Sequence, residues 1–513
     1  MTTASRLKSQ ISANIFLHAS SAACRESSPG PDAGGSSLSR SRQVRDGDGD
    51  GKSGADDEAV STTRTRRPQR SRSRSRSKLK LVFFVTGNPG LVAYYHVLLS
   101  LVVRDLGLKG HTDVVVAGMS LGGFDVKDTH RSHGGKGTRE RKREGGAGGG
   151  LDLDPASDSD SGSGSASHST LHDREEQGLL YPAKFQGPRG RLFTLREQIE
   201  LSYARVEDLV ERIQSERDIV SGDEQDADPV EVVLVGHSVG AYICLELVRL
   251  WHERHPLDGP PPQTVSNTSD KQTPRSRSRP LWSPSACILL TPTIQDIHLS
   301  PSGLIATPLL TNLPFLPHLA QILVHSVLLR LMPASWFASL VSRVTGMQPG
   351  SHGLEATLSF LKSERGVEQA LHMASWEMKE IRKNRWGNEV WGASHGETSA
   401  VAAQEEKYSS PRLFFWFTKE DHWVADVTRE AIMETHAPRA VVQRHHVAEP
   451  AERAEIEGTA VQVNGTKNRP RAGNSPTIRI LESEGLLHAW CLEQSAIVAK
   501  GVGQWLEEVW SAA

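Results

Sequence analysis

The chain has 513 residues, 59 Lys and Arg against 61 Asp and Glu, and a formal net charge of −2. That balance gives no bulk electrostatic drive towards nucleic acid or acidic lipid. Apolar residues make up only 37%. The shortfall sits in a few polar tracts, which predicts one globular domain interrupted by disordered insertions.

Residues 1–78 are rich in Ser, Gly, Asp and Arg and read as disordered. The opening stretch has no acid before Glu26 and weakly resembles a mitochondrial transit peptide, but the preferred reading is a plain disordered tail. No secretory h-region and no uncharged apolar run of membrane-spanning length is expected. The tract TRTRRPQRSRSRSRSKLK fits contact with RNA, splicing factors or anionic lipid, but the preferred reading is a solvated, phosphorylatable linker. No RNA-binding module follows it, so no nucleic-acid partner is expected.

LVFFV, within 79–90, is a short unbroken apolar run closed by Gly and Pro, as expected of a strand buried on both faces. LVAYYHVLLSLVVRDL suits a helix, and 112–119 predicts a second buried strand. A polar, Gly-rich insertion is placed at about 125–178. A helix is predicted over 193–213, with Leu195, Ile199, Val206, Leu209, Val210 and Ile213 as its apolar stripe and Thr194 with Glu197 as a capping box. Residues 230–250 read as strand, tight turn, helix. A polar tract (259–280) precedes a strand at 286–293, and a helical cap is expected at about 294–392. After a short insertion (393–408) come a strand in RLFFWF, a polar insert around 445–475, a last strand at 477–483 and a terminal helix. Alternating strands and helices predict an α/β fold with a doubly wound, mostly parallel sheet over 79–513.

GHSVG, residues 236–240, lies between the predicted buried strand and helix, the setting that a nucleophile turn requires. A serine in so sharp a turn leaves no room for side chains two positions either way, hence Gly236 and Gly240. Ser238 is the candidate nucleophile. The Val239 N–H, at a helix N-terminus, is a candidate oxyanion donor. The TGNPG loop after the first strand offers a second; Pro89 has no N–H, which leaves Asn88. A serine hydroxyl needs an imidazole base held by an acid, and in this fold the order is Ser, acid, His. Asp421 follows the RLFFWF strand at the expected distance, with Asp426 in reserve, and His488 lies between the last strand and last helix. His237 and His422 read as wall or packing residues. Cys24, Cys244, Cys287 and Cys491 show no metal or disulfide-framework spacing; Cys244 and Cys287 read as buried thiols of a reducing compartment. Neither a metal nor a cofactor is expected.

The TGNPG loop followed by Tyr94 and Tyr95, the GHSVGAY turn, LLTPTI at 289–294, the Asp421 loop and LLHAW together resemble the lipid-droplet-associated hydrolases. The resemblance implies an α/β-hydrolase fold, a Ser-Asp-His triad, activity on esters of sterols or other neutral lipids, and residence on lipid droplets or the endoplasmic reticulum. The Arg-Ser N-terminus and the polar insertions depart from the family pattern.

Residues 303–345 are dense in Leu and carry Pro308, Pro314, Pro317 and Pro333. The prolines exclude one straight spanning helix. A broken helical pair dipping into a lipid monolayer fits, as does a plain second layer on the sheet. The sequence thus predicts a serine ester hydrolase at a lipid surface. The alternative is a non-catalytic lipid-surface protein that keeps the fold for binding.

Overall fold

The computed structural model describes residues 9–20, 78–126, 175–187, 190–221, 228–256, 280–392, 410–436, 440–446 and 478–511. Two short strands, β1 (Gln10–Ile11) and β2 (Ile15–Ala19), come first. Then follow β3 (Lys80–Val85), α1 (His96–Leu108), β4 (Val114–Met119), α2 (Leu195–Ser221), β5 (Val230–His237), α3 (Val239–Arg254) and β6 (Trp282–Leu290). The cap holds α4 (Pro301–Asn312), α5 (Leu316–Ile322), α6 (Ala334–Thr345), α7 (His352–Lys362) and α8 (Gly366–Glu380). The chain closes with β7 (Arg412–Thr418), α9 (Asp426–His436), β8 (Ala440–His446), β9 (Ile478–Glu484) and α10 (Ser495–Ser511).

Among the described residues the strands form one nine-stranded sheet in the order β1-β2-β4-β3-β5-β6-β7-β9-β8. From β4 across to β8 every pairing is parallel, and β2 joins β4 antiparallel. β3 explains why its sequence is an unbroken apolar run. Leu81, Phe83 and Val85 face one core layer with residues of α2 and α3, while Val82 and Phe84 face the other with residues of α1 and α10. The predicted stripe of α2 is buried in the first layer. Its capping box forms as expected: the Thr194 N–H donates to Glu197 Oε2 at 2.9 Å, and the Glu197 N–H to Thr194 Oγ1 at 3.3 Å.

Two expectations need correction. Residues 1–78 are not wholly unstructured, because Ile15, Phe16 and Leu17 are buried in β2 against the outer edge of β4. β8 was not foreseen; most of it is exposed, so its sequence lacks the buried-strand pattern, and its place is fixed by pairing with β9. The expected insertions at 125–178, 259–280, 393–408 and 445–475 lie mostly outside the described residues, as do the Arg-Ser tract and Cys24, although residues 175–180 are helical.

In the cap, Ser300 caps α4 by accepting from the Gly303 N–H at 3.0 Å, and Ser351 caps α7 through the Leu354 N–H at 3.3 Å. α4 and the helical run Leu316–Leu331 meet at a bend of 94°, and among the described residues no single helix is long and apolar enough to cross a membrane. The bend falls where Pro314 removes a backbone donor. Much apolar surface here is uncovered: Leu304, Ile305, Phe315, Leu319, Leu323, Leu331, Trp336 and Val344 are all exposed, Ile305 at 72% and Leu331 at 73%.

Candidate active site

β5 ends at His237 and α3 begins at Val239, so Ser238 occupies a one-residue elbow with φ 53° and ψ −123°. A positive φ in a non-glycine residue costs about 1–3 kcal/mol, so the turn must be over-determined by its surroundings. A Cβ on Gly236 would lie 2.5 Å from the Gly240 backbone, and one on Gly240 would lie 2.3 Å from the Val85 carbonyl oxygen. The elbow is further pinned by backbone bonds: the Ser238 N–H donates to Leu290 O (3.0 Å), and the Thr293 N–H to Ser238 O (3.4 Å). The TPTI segment after β6 is thereby part of the elbow's support.

The structure brings three of the singled-out residues into one hydrogen-bonded chain. His488 Nε2 lies 3.0 Å from Ser238 Oγ, and His488 Nδ1 lies 2.9 Å from Asp421 Oδ2. With the Asp421 carboxylate as acceptor, Nδ1 carries the ring proton, so Nε2 is the ring's acceptor and the Ser238 hydroxyl donates to it. The second carboxylate oxygen, Oδ1, accepts from the Trp423 N–H at 2.7 Å and the Val424 N–H at 3.1 Å. Asp421 is thus buried and held on both oxygens, while Ser238 and His488 keep a small exposed surface.

Asp426 is not part of this chain; it is exposed at the start of α9 and paired with Arg429 at 2.7 Å. His422 is exposed, and its carbonyl accepts from the Ser302 N–H at 2.8 Å, tying the acid loop to α4. Val239 is the first residue of α3, where the N–H groups have no intrahelical acceptor. The TGNPG loop runs against the elbow: a Cβ on Gly87 would lie 3.2 Å from Ser238 Cβ. The Gly87 N–H donates to Tyr95 Oη at 3.1 Å, and the next N–H along that loop belongs to Asn88. The Asn88 side chain turns away to the cap, donating to Ala370 O and Glu377 Oε1, each at 2.9 Å. Burial pushes the Glu377 carboxyl up to about 7, against which the Asn88 hydrogen bond acts in the opposite direction.

Sequence reading underrated His237. It is buried, with Nδ1 2.7 Å from Tyr95 Oη and Nε2 2.9 Å from the His488 carbonyl oxygen. Burial, then the neighbouring His488, depresses its pKa to about 3. The tyrosine pair stood out in the sequence, but nothing in one dimension tells which residues it joins. Among the described residues no group of three or more His, Cys, Asp or Glu side chains could hold a metal ion, and Cys244, Cys287 and Cys491 are free and buried.

Solved structures with similar topology include haloalkane dehalogenase DbeA from Bradyrhizobium elkani, at 10% identity and TM-score 0.36 over 85% of this chain and 93% of that one. The type II thioesterase BorB of the borrelidin biosynthetic cluster matches at 11% identity and TM-score 0.33, over 83% and 93%. A laboratory-evolved variant of potato epoxide hydrolase matches at 11% and 0.33, over 84% and 94%. Their sequences are too distant to speak to substrate. The family description "Lipid-droplet associated hydrolase" matches residues 78–144 and 163–451, more than half of the chain. Its span takes in the GNPG loop, the Ser238 elbow and Asp421, and ends before His488. The parallel sheet with a serine elbow at the end of β5 is an α/β-hydrolase fold, and the chain belongs to the lipid-droplet associated hydrolase family.

Proposed function

We propose that the protein is a serine hydrolase of carboxylic esters of neutral lipids or sterols, working at the surface of lipid droplets or the endoplasmic reticulum. The observation that carries this reading is the unbroken contact from Ser238 Oγ through the His488 imidazole to Asp421, with steps of 3.0 and 2.9 Å. His488 Nε2 takes the hydroxyl proton as Ser238 Oγ attacks the ester carbonyl carbon. The oxyanion so formed accepts from the N–H groups of Val239 and Asn88. Collapse breaks the bond to the alcohol oxygen, which leaves with the proton held on His488. Water, deprotonated by the same imidazole, then releases the acid and regenerates Ser238. The Asp421 carboxylate accepts from Nδ1–H and holds the ring in the tautomer that both steps need.

The cap supports the choice of a lipid surface. Between Pro301 and Thr345 there is no acidic residue, the only Arg or Lys residues are Arg330 and Arg343, and a row of large apolar side chains is exposed. That same cap favours the second reading, a lipid-surface protein in which the fold serves binding alone. Hydrolysis of a short soluble ester, a sterol ester and a triacylglycerol emulsion by the parent and Ser238→Ala separates the two. The enzyme reading expects Ser238→Ala to lose at least about a thousandfold in kcat. Equal rates for parent and variant would leave only the binding reading.

A further inference from the structure

We infer that Tyr95 and His237 are positioning residues: through a second hydrogen-bond chain, running behind the triad, they fix the main chain of His488 relative to the nucleophile elbow and the oxyanion loop. The inference rests on the hydrolase reading above and extends it to residues outside the reacting set.

The chain begins in the TGNPG loop, where the Gly87 N–H donates to Tyr95 Oη at 3.1 Å. Tyr95 Oη stands 2.7 Å from His237 Nδ1, and His237 Nε2 stands 2.9 Å from the His488 carbonyl oxygen. A carbonyl only accepts, so Nε2 carries the ring proton and Nδ1 receives the tyrosine O–H. The two rings therefore run in one direction, Gly87 N–H to Tyr95 O–H to His237, and His237 Nε2–H to His488. Three distant segments are joined: the loop after β3, the last residue of β5 and the loop after β9.

Pure packing does not account for the choice of residues. His237 and Tyr95 are both buried, and a buried imidazole costs more to desolvate than an aliphatic side chain of similar volume. Trp490 packs edge-on against both rings, with centroids 5.0 Å from His237 and 5.8 Å from Tyr95, and is itself buried. The bond made by His237 starts one residue before the nucleophile and ends on the backbone of the base itself. It thus sets the separation between Ser238 Oγ and His488 Nε2, the distance on which proton transfer depends. Because burial keeps His237 neutral down to about pH 3, its proton stays on Nε2 and the polarity holds throughout the range in which an imidazole base works.

The test uses the full chain and a short soluble ester, with kcat and KM measured for Tyr95→Phe, His237→Leu, His237→Gln and Tyr94→Phe, and with thermal unfolding of each. Tyr95→Phe removes one oxygen and keeps the ring. His237→Gln retains an N–H donor that reaches the His488 carbonyl; His237→Leu does not. Tyr94 is adjacent, but its hydroxyl bonds Thr357 of the cap at 3.1 Å. A misplaced catalytic group costs about a hundredfold per ångström. The expected result is a fall in kcat of about ten- to a hundredfold for Tyr95→Phe and His237→Leu, with KM within about twofold. His237→Gln should recover to within about threefold of the parent, and Tyr94→Phe should match the parent. Unchanged kcat in Tyr95→Phe overturns the inference, as does a His237→Gln no better than His237→Leu, or an equal loss in Tyr94→Phe. A parent whose hydrolysis does not depend on Ser238 removes the hydrolase reading and the inference with it. A parent that does depend on Ser238, with indifferent variants, removes the inference alone.

Discussion

Glu377, on α8 of the cap, accepts from the Asn88 side chain and is fully enclosed. Its burial has a consequence for stability. The carboxyl titrates at about 7 in the folded protein against an ordinary 4.5. Between those values the native state holds a proton that the unfolded state has lost, so stability falls as pH rises through that window, and above it the loss is complete. The shift corresponds to roughly 3 kcal/mol at most. Glu377→Gln keeps an acceptor for Asn88 and removes the charge. It should raise the unfolding midpoint at pH 8 and leave it nearly unchanged at pH 4, read by thermal melts; an equal gain at both would mean that the buried charge is not the cause. This residue was illegible in the sequence. In VEQALHMASWEMKEIRKNRW a glutamate reads as part of the polar face of an amphipathic helix. Its burial follows from contact with a loop nearly three hundred positions earlier. Ser238 was legible for the opposite reason: the steric demands of its turn are local, and Gly236 and Gly240 record them within five residues.

At the scale of elements, the proposed function assigns attachment to the cap and chemistry to the sheet, and the two can be tested apart. Leu304 and Ile305 on α4, with Leu319 and Leu323 across the bend, are exposed. Each would contribute roughly 1.5–3 kcal/mol if transferred fully from water into acyl chains. Replacing all four by Ser should lower co-flotation with phospholipid-coated triacylglycerol droplets by more than about a hundredfold, while turnover of a soluble ester stays near the parent's. Undiminished flotation would place the attachment elsewhere. The broken pair was readable because proline forbids a continuous helix and four prolines fall between 303 and 345. β2 was not, because IFLHA is too short to display a period and is set among Ser- and Arg-rich residues. It is buried on both sides, Ile15 and Leu17 in one core layer and Phe16 in the other, and only the unfilled edge of β4 gives it a place. β8 escaped notice because its apolar start, Ala440 to Val442, is short and runs straight into Gln443, Arg444 and two histidines; its order comes from backbone pairing with β9, which composition does not encode.

For the molecule as a whole, the topology does the assembling. Parallel pairing puts β3, β5, β6, β7 and β9 side by side with their carboxyl ends together. The loops after β5, β7 and β9 then deliver Ser238, Asp421 and His488 to one point. The architecture was readable because doubly buried strands and striped helices alternate regularly, and long polar tracts between them do not disturb that alternation. What stayed hidden is the layer behind the site, Tyr95, His237 and Thr293, whose partners are set by sheet order and not by neighbours in sequence. The most direct measurement of the central claim is the site of reaction with a fluorophosphonate, read by peptide mass spectrometry on the folded full-length chain. A single adduct on Ser238, absent in Ser238→Ala and strongly slowed in His488→Ala, is the predicted result. No adduct, or labelling that persists undiminished in Ser238→Ala, would contradict it.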